Sequence, residues 1–118
     1  MDIRLERAGH DELVVHLKDG TVETSVSVPQ SRPGATSLRR ALNAALTDGQ
    51  GECFWPCTTG GQYWWVFKHE QTAMEVIVMW TRGGASLWEH VFRATDATDW
   101  VHTRLVEELD RLKLGSLS

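Results

Sequence analysis

The sequence predicts an α+β fold: an antiparallel β-sheet of about six strands with two helices packed on one face. Six separate segments have strand character: the three in the first half alternate apolar and polar residues, and the three in the second half are rich in aromatic and aliphatic residues. Two further segments repeat apolar residues every three or four positions, which is typical of amphipathic helices. The elements follow one another in βββα-βββα order rather than as alternating strands and helices, and the 118 residues fit one domain, 1–118.

The first 28 residues predict a three-stranded meander. Segments 1–7, 12–18 and 21–28 each place apolar residues at alternate positions, with charged or hydroxyl residues between most of them. Asp19-Gly20, between the second and third segments, is a strong hairpin signal because a two-residue turn requires positive φ angles. We therefore expect one face of this meander to be buried and the other to be in contact with water.

A first helix is predicted after a turn-rich linker at 29–35. Thr36 or Ser37 is the expected N-cap, and Gly49 lies where a helix commonly ends in a left-handed residue. The apolar stripe of this helix comprises Leu38, Ala41, Leu42, Ala45 and Leu46. This amphipathic pattern predicts that the helix lies on the sheet.

The second half predicts another meander, preceded by a short apolar segment. The predicted strands are 62–69, 73–81 and 86–94. The short segment at 52–57 contains Pro56, which cannot donate to a β-ladder. This segment is therefore either an edge strand, which would be a short extra strand in the sheet, or an irregular bridge.

A second helix is predicted near the C-terminal end, opening at Asp96 or Thr98. With Asp96 as the N-cap, Asp99 forms a short-armed variant of the capping box three positions later. Both carboxylates suit the positive end of the helix dipole. The predicted apolar stripe comprises Val101, Leu105, Leu109 and Leu112.

The second meander is apolar on both faces, whereas the first is not. If Trp65 faces the helices, then its neighbour Trp64 faces the opposite side of the sheet, because adjacent strand residues point in opposite directions. On the last strand the same alternation predicts that Trp88, His90 and Phe92 share one face. Helices on one side of the sheet would leave the second apolar side to be covered by something else.

This second apolar side is the candidate binding surface. It is covered by the first meander folding over it, by the short segment at 53–57, or by another chain. Tryptophan with nearby Arg or His matches the composition of binding hot spots, and monomers seldom expose large apolar patches. The candidate partner-binding residues are Trp64, Trp88, Phe92, His90 and Glu89.

The sequence contains none of the motifs that mark common catalytic sites, and we predict that the protein is not an enzyme. It has no GxSxG, no P-loop, no GxGxxG after a strand and no HExxH. Cys53 and Cys57 have C-x-x-x-C spacing, which is not the redox spacing, and a zinc ion would need two further ligands. We therefore expect no metal and no cofactor, and the sequence leaves the pairing of the two thiols open.

Charge and hydropathy argue against two classes of partner. The net charge of −4 and the dispersed basic residues argue against binding to nucleic acid. No apolar run is long enough to span a membrane or to form a signal peptide, so the expected location is the cytoplasm.

These features favour a non-enzymatic protein-binding domain. A small, acidic, motif-free α+β protein with a tryptophan-rich sheet resembles, as a class, bacterial immunity proteins, which neutralise a cognate toxin by direct binding. The resemblance implies a protein partner such as a basic toxin domain, and it carries over no site residue. Two alternatives stay open: a homodimer or larger homo-oligomer formed through the same sheet, and a small-ligand-binding domain with a pocket near His90.

Overall fold

The computed structural model describes residues 1–57, 60–82 and 87–113, which form seven strands and two helices. The elements in chain order are β1 (Asp2–Ala8), β2 (Glu12–Asp19), β3 (Val22–Pro29), α1 (Arg32–Asp48), β4 (Gln50–Pro56), β5 (Gln62–Glu70), β6 (Ala73–Thr81), β7 (Glu89–Ala97) and α2 (Thr98–Arg111). The strands form two antiparallel sheets, with the orders β1-β2-β3 and β4-β5-β6-β7. Each sheet is therefore a meander of strands that are consecutive in the chain.

The α+β class and the antiparallel pairing are confirmed, but the prediction of one sheet of about six strands is wrong. The segment around Pro56 is a regular strand, β4, at the edge of the second sheet. Within the described residues no ladder joins β3 to β4. These strands meet where the Trp55 indole N–H donates to the carbonyl oxygen of Pro29 at 3.0 Å. The two strands are thus in contact without being paired, and the seven strands divide here into two sheets.

The apolar faces of both sheets contribute to one buried cluster of side chains, to which each helix adds one face. α1 packs mainly against β4 and β5, whereas α2 packs mainly against β1 and makes smaller contacts with β6 and β7. The prediction that both helices pack on one face of a single sheet is therefore wrong. The largest fully buried side chains include Trp55, Trp65, Phe67 and Phe92.

Helix α1 begins at Arg32 with Ser31 as its N-cap, five or six residues before the predicted N-cap. The Ser31 side chain caps it by accepting a hydrogen bond from the Gly34 N–H at 3.1 Å. Pro33 is compatible with this start, because N–H groups in the first turn have no partner within the helix. The turn-rich linker of the sequence is thus mostly the first turn of the helix.

Helix α2 begins at Thr98, which is one of the two predicted openings, but Asp96 does not cap it. Ala97 occupies the N-cap position and makes no side-chain capping bond. The Asp96 carboxylate instead accepts a hydrogen bond from the terminal amine of Met1 at 2.7 Å. This ion pair holds the pKa of the Asp96 carboxyl below its usual value.

Strand β7 occupies 89–97 rather than the predicted 86–94, and residues 83–86 lie outside the described part of the chain. The residues Leu87 and Trp88 precede the strand. The strand continues to Ala97, and α2 follows directly at Thr98.

A β-bulge in β7 changes which side chains turn inward. Phe92 is paired with Val78 of β6, but the next register pair joins His90 to Met79, so Val91 is an extra residue. The alternation of side chains consequently changes sides across Val91. Phe92 enters the core, where it is 2% exposed, while His90 is exposed. The prediction that these two residues share a face is therefore wrong.

Helix α2 covers the outer edge of β1 with charged side chains. The Leu5 N–H donates to Glu108 Oε1 at 2.8 Å, and the Arg111 guanidinium donates to the Leu5 carbonyl oxygen. These bonds close one edge of the first sheet, which as an unpaired edge could otherwise recruit other chains.

Neither helix in the described residues has the length and hydropathy needed to span a membrane.

Candidate binding surface

The alternation of side chains along β4 and β5 places an aromatic surface on the outer face of the second sheet. Cys53 and Trp55 of β4 turn inward and are buried, so Phe54 between them turns outward. In β5 the same alternation turns Trp65 inward and Trp64 outward. Phe54 is the direct register partner of Trp64, which brings the two outward rings side by side.

Trp88, immediately before β7, completes an aromatic triad of Phe54, Trp64 and Trp88. The ring centroids of Phe54 and Trp64 are 5.8 Å apart, those of Phe54 and Trp88 are 6.0 Å apart, and those of Trp64 and Trp88 are 5.2 Å apart. Phe54 is 43% exposed, and both tryptophans are half-buried. Ring contacts at these distances are favourable. The three rings therefore hold one another in place while part of the cluster stays in contact with water.

Apolar side chains extend the surface around the triad. Ile77 and Met79 of β6 are half-buried, and Met79 is the register partner of Trp64. Leu87, which adjoins Trp88 in the chain, is 79% exposed. The described helices pack against the inner faces of the sheets, so neither of them covers this outer face.

A carboxylate lies at the margin of the triad. The indole N–H of Trp64 donates to Glu52 Oε2 at 3.0 Å. Among the described residues, no basic side chain has a nitrogen within 4.0 Å of the Glu52 carboxylate oxygens. In contrast, Glu75 on the same face is paired with Arg93 at 2.6 Å. Glu52 is thus a charge that the described part of the chain does not neutralise by direct contact.

The structure brings together two of the five predicted binding residues, Trp64 and Trp88. It places His90 and Glu89 on the surface at the start of β7, where both are exposed. Phe92 does not belong to this surface, because the bulge turns it into the core.

The sequence analysis misses Phe54 and Glu52 as members of the surface. Both alternate with inward-facing residues of β4, and this period-two pattern is the signal that could have found them. Pro56 obscures the signal, since it argues against a regular strand. In the structure Pro56 is the last residue of β4, where a missing N–H is tolerated.

A recess separate from the triad lies where the two sheets meet. It is a cleft of about 570 Å³, lined by Tyr63 and Trp80, whose ring centroids are 4.7 Å apart, and by the β1–β2 turn. Burial raises the pKa of the Tyr63 phenol, so this group is neutral at physiological pH. His90 does not line this cleft.

Both cysteines are free thiols. Burial raises the pKa of the Cys53 thiol to about 12, and it also raises the pKa of Cys57. Both thiols are therefore protonated, and weakly nucleophilic, at neutral pH. Within 1–57, 60–82 and 87–113, no group of three or more His, Cys, Asp or Glu residues is placed to hold a metal ion.

Comparisons with protein-family models, with curated proteins and with solved structures found no match to this chain.

Proposed function

We propose that this protein is a non-enzymatic protein-binding domain that docks its partner on the aromatic triad. The observation that supports the proposal is a cluster of three large rings on a sheet face that neither helix covers. A fully buried aromatic residue removes about 150–250 Å² from water, and tryptophan is enriched in binding hot spots. Covering the part of the triad that is now wet would therefore favour association.

The proposed partner is a basic protein, with a toxin that this chain neutralises as the most concrete form. The chain carries a net charge of −4, and the exposed Glu52, whose carboxylate accepts from the Trp64 indole, lies at the margin of the surface. Acidic groups around an apolar centre favour encounter with a basic surface and disfavour an acidic one. A cytoplasmic location belongs to this same proposal.

The test is a pull-down from the native organism followed by binding measurements with the purified partner. We expect Trp88→Ala to weaken binding by about thirtyfold, which corresponds to about 2 kcal/mol, because it removes a central ring of the triad. Val22→Ala is the matched control, since Val22 is 59% exposed but lies on β3, in the other sheet. Calorimetry gives the dissociation constants, and thermal melting shows that each free variant still unfolds cooperatively.

Equal binding by Trp88→Ala and by the wild type would contradict the proposal. If Trp88→Ala does not fold, Phe54→Ala replaces it in the same measurement, because Phe54 is the most exposed ring of the triad.

A second copy of this chain is the alternative occupant of the triad. Light scattering at low micromolar concentration distinguishes the two possibilities. A monomer supports a separate partner, whereas a tight dimer that Trp88→Ala dissociates supports self-association.

A further inference from the structure

We infer that the free edge of β4, beside the triad, accepts an extended segment of the partner as an additional strand, with a basic side chain opposite Glu52. This inference rests on the proposed function and adds how the partner docks and which chemistry the edge selects. Strand addition is a recurrent mode of recognition in which main-chain hydrogen bonds give affinity and alternate side chains give specificity.

The register of β4 shows which of its backbone groups point away from the sheet. The His69 N–H donates to the Gly49 carbonyl oxygen at 2.8 Å, and the Cys57 N–H donates to the Gly61 carbonyl oxygen at 3.0 Å. Hydrogen-bonded pairs alternate with non-hydrogen-bonded pairs in an antiparallel ladder. Residues 51, 53 and 55 therefore bond to β5, and the N–H and C=O groups at 52 and 54 point outward.

These outward groups lie along an open groove. Among the described residues, none donates to or accepts from the backbone of Glu52 or Phe54. The groove has a volume of about 500 Å³ and runs between β4 and the exposed side of α1, where Ser37 and Arg40 line it. A strand placed in this groove would satisfy four backbone groups that the chain leaves to water.

The other edges of the two sheets differ from this one. The edge of β1 is closed by α2 through Glu108 and Arg111. β3 and β7 are also outer strands, but their outer faces carry polar residues: Glu23, Ser25 and Ser27 on β3, and Arg93 and Thr95 on β7. Among the described outer strands, β4 alone combines an open edge with an exposed aromatic side chain and a carboxylate that has no described cation within 4.0 Å.

The side chains of β4 define the chemistry of the added strand. Residues directly opposite one another on neighbouring strands interact, and opposite charges are favourable there. Glu52 Oε2 accepts from Trp64, and the carboxylate has no described cation, so a basic residue fits opposite it. Two positions along, the exposed ring of Phe54 favours an apolar residue. The residue between them points into the groove beside Ser37 and Arg40, where a small polar residue fits.

A second copy of β4 fits this edge poorly. An antiparallel copy centred on Cys53 would place its own Phe54 opposite Glu52, which leaves both carboxylates without a cation. Each copy also carries a net charge of −4, so the two copies repel each other.

The first experiment uses two synthetic peptides that differ only in charge. One repeats Arg-Ser-Leu-Ser, and the other repeats Glu-Ser-Leu-Ser. We expect the arginine peptide to bind about tenfold more tightly by fluorescence anisotropy, and Glu52→Gln to remove this preference. Amide exchange at Glu52 and Phe54 should slow when the arginine peptide is bound. Equal affinities, unchanged exchange, or no binding at millimolar peptide would overturn the inference.

The second experiment compares proline with alanine at the same positions. Glu52→Pro and Glu52→Ala both remove the carboxylate, and Phe54→Pro and Phe54→Ala both remove the ring, but only proline removes an outward N–H and obstructs the edge. Each proline variant should melt close to its alanine counterpart and bind the arginine peptide about tenfold more weakly than that counterpart. Equal binding within each pair would show that the edge does not pair with the peptide.

Binding of the same variants to the purified natural partner distinguishes failure of this inference from failure of the proposed function. If Trp88→Ala weakens that partner while proline and alanine variants bind it equally, the triad is the docking surface and strand addition is wrong. If neither set weakens it, both proposals fail. A dimer in light scattering that Glu52→Pro dissociates would identify a second copy as the occupant and overturn the choice of a basic segment.

Discussion

The tryptophans of this chain have different tasks, which their strand positions and partners decide. Trp55 and Trp65 face inward and are at most 1% exposed. Trp64 and Trp88 belong to the triad on the outer face. Trp100 of α2 donates its indole N–H to the Met1 carbonyl oxygen and is 46% exposed. A high tryptophan content therefore serves a wide core and a surface cluster at once.

The alternation of side chains along a strand determines how much of the candidate site could be predicted at the residue scale. The sequence places Trp64 and Trp65 on opposite faces because neighbouring strand residues must diverge. It does not reveal the bulge at Val91, because a bulge depends on pairing with β6 and leaves no local pattern. Phe92 is misplaced for this reason, whereas Trp88, beyond the bulge, is on the predicted face.

Replacing Gly51 by alanine adds a single carbon atom, but we expect it to lower the stability of the fold strongly. A Cβ built at Gly51 would lie 1.8 Å from the Ala41 carbonyl oxygen and 2.7 Å from the Ala41 carbonyl carbon. Backbone atoms of α1 cannot move aside as a flexible side chain can, so helix and strand would have to separate. We expect Gly51→Ala to lower the free energy of unfolding by about 3 kcal/mol, measured by urea denaturation.

Gln50→Ala is the matched control for this substitution, because Gln50 is the preceding residue of β4. This control should change the free energy of unfolding by less than about 0.5 kcal/mol. A Gly51→Ala variant as stable as the control would show that α1 does not lie against β4 as described.

At the scale of elements, closure of the β1 edge depends on one buried carboxylate. Glu108 is 4% exposed, accepts from the Leu5 N–H and is paired with Arg111 at 3.1 Å. Glu108→Ala leaves the N–H and the guanidinium without this partner, so we expect a loss of about 2 kcal/mol in the free energy of unfolding. Glu107→Ala is the control, since Glu107 is exposed on the same helix.

The pH dependence of stability gives a further readout of the same contact. Burial acts to raise the pKa of Glu108, but hydrogen bonds from Arg111 and from the Leu5 N–H outweigh burial and lower the pKa below its ordinary value of 4.5. A lowered pKa in the folded state means that the carboxylate stabilises the protein above pH 4.5 and that this contribution is lost as the pH falls through the folded-state pKa. The stability gap between wild type and Glu108→Ala should therefore narrow on acidification, and a gap that widens would contradict the pairing.

Element boundaries were predictable where one local pattern decides them. The strands of the first meander lie within two residues of their predicted positions, because alternation and the turn before Val22 agree there. The start of α1 differs because Pro33 suggests a linker, although a proline is well tolerated in a first turn. Helix α2 starts at a predicted residue but lacks the predicted Asp96 cap, because the Asp96 carboxylate accepts from the terminal amine of Met1 instead. No local rule anticipates a contact between residues 95 positions apart.

At the scale of the whole molecule, the division into two sheets could not be predicted from the sequence. Alternation reveals that a segment is a strand but not which edges join, and both meanders have free edges that could have met. In the part of the chain that the structure describes, no ladder joins β3 to β4, and the Trp55 indole N–H donates to the Pro29 carbonyl oxygen where the two strands meet. The two sheets then share their apolar inner faces, which leaves the outer face of the second sheet, and its triad, on the surface.

The most direct measurement is the response of the indole N–H resonances to the purified partner, followed by NMR. We predict that the Trp64 and Trp88 resonances shift or broaden on binding, while those of Trp55, Trp65 and Trp100 keep their positions, because only the first two lie on the docking surface. A complex in which Trp64 and Trp88 are unchanged, or in which Trp100 alone responds, would place the partner elsewhere and contradict the proposed docking surface.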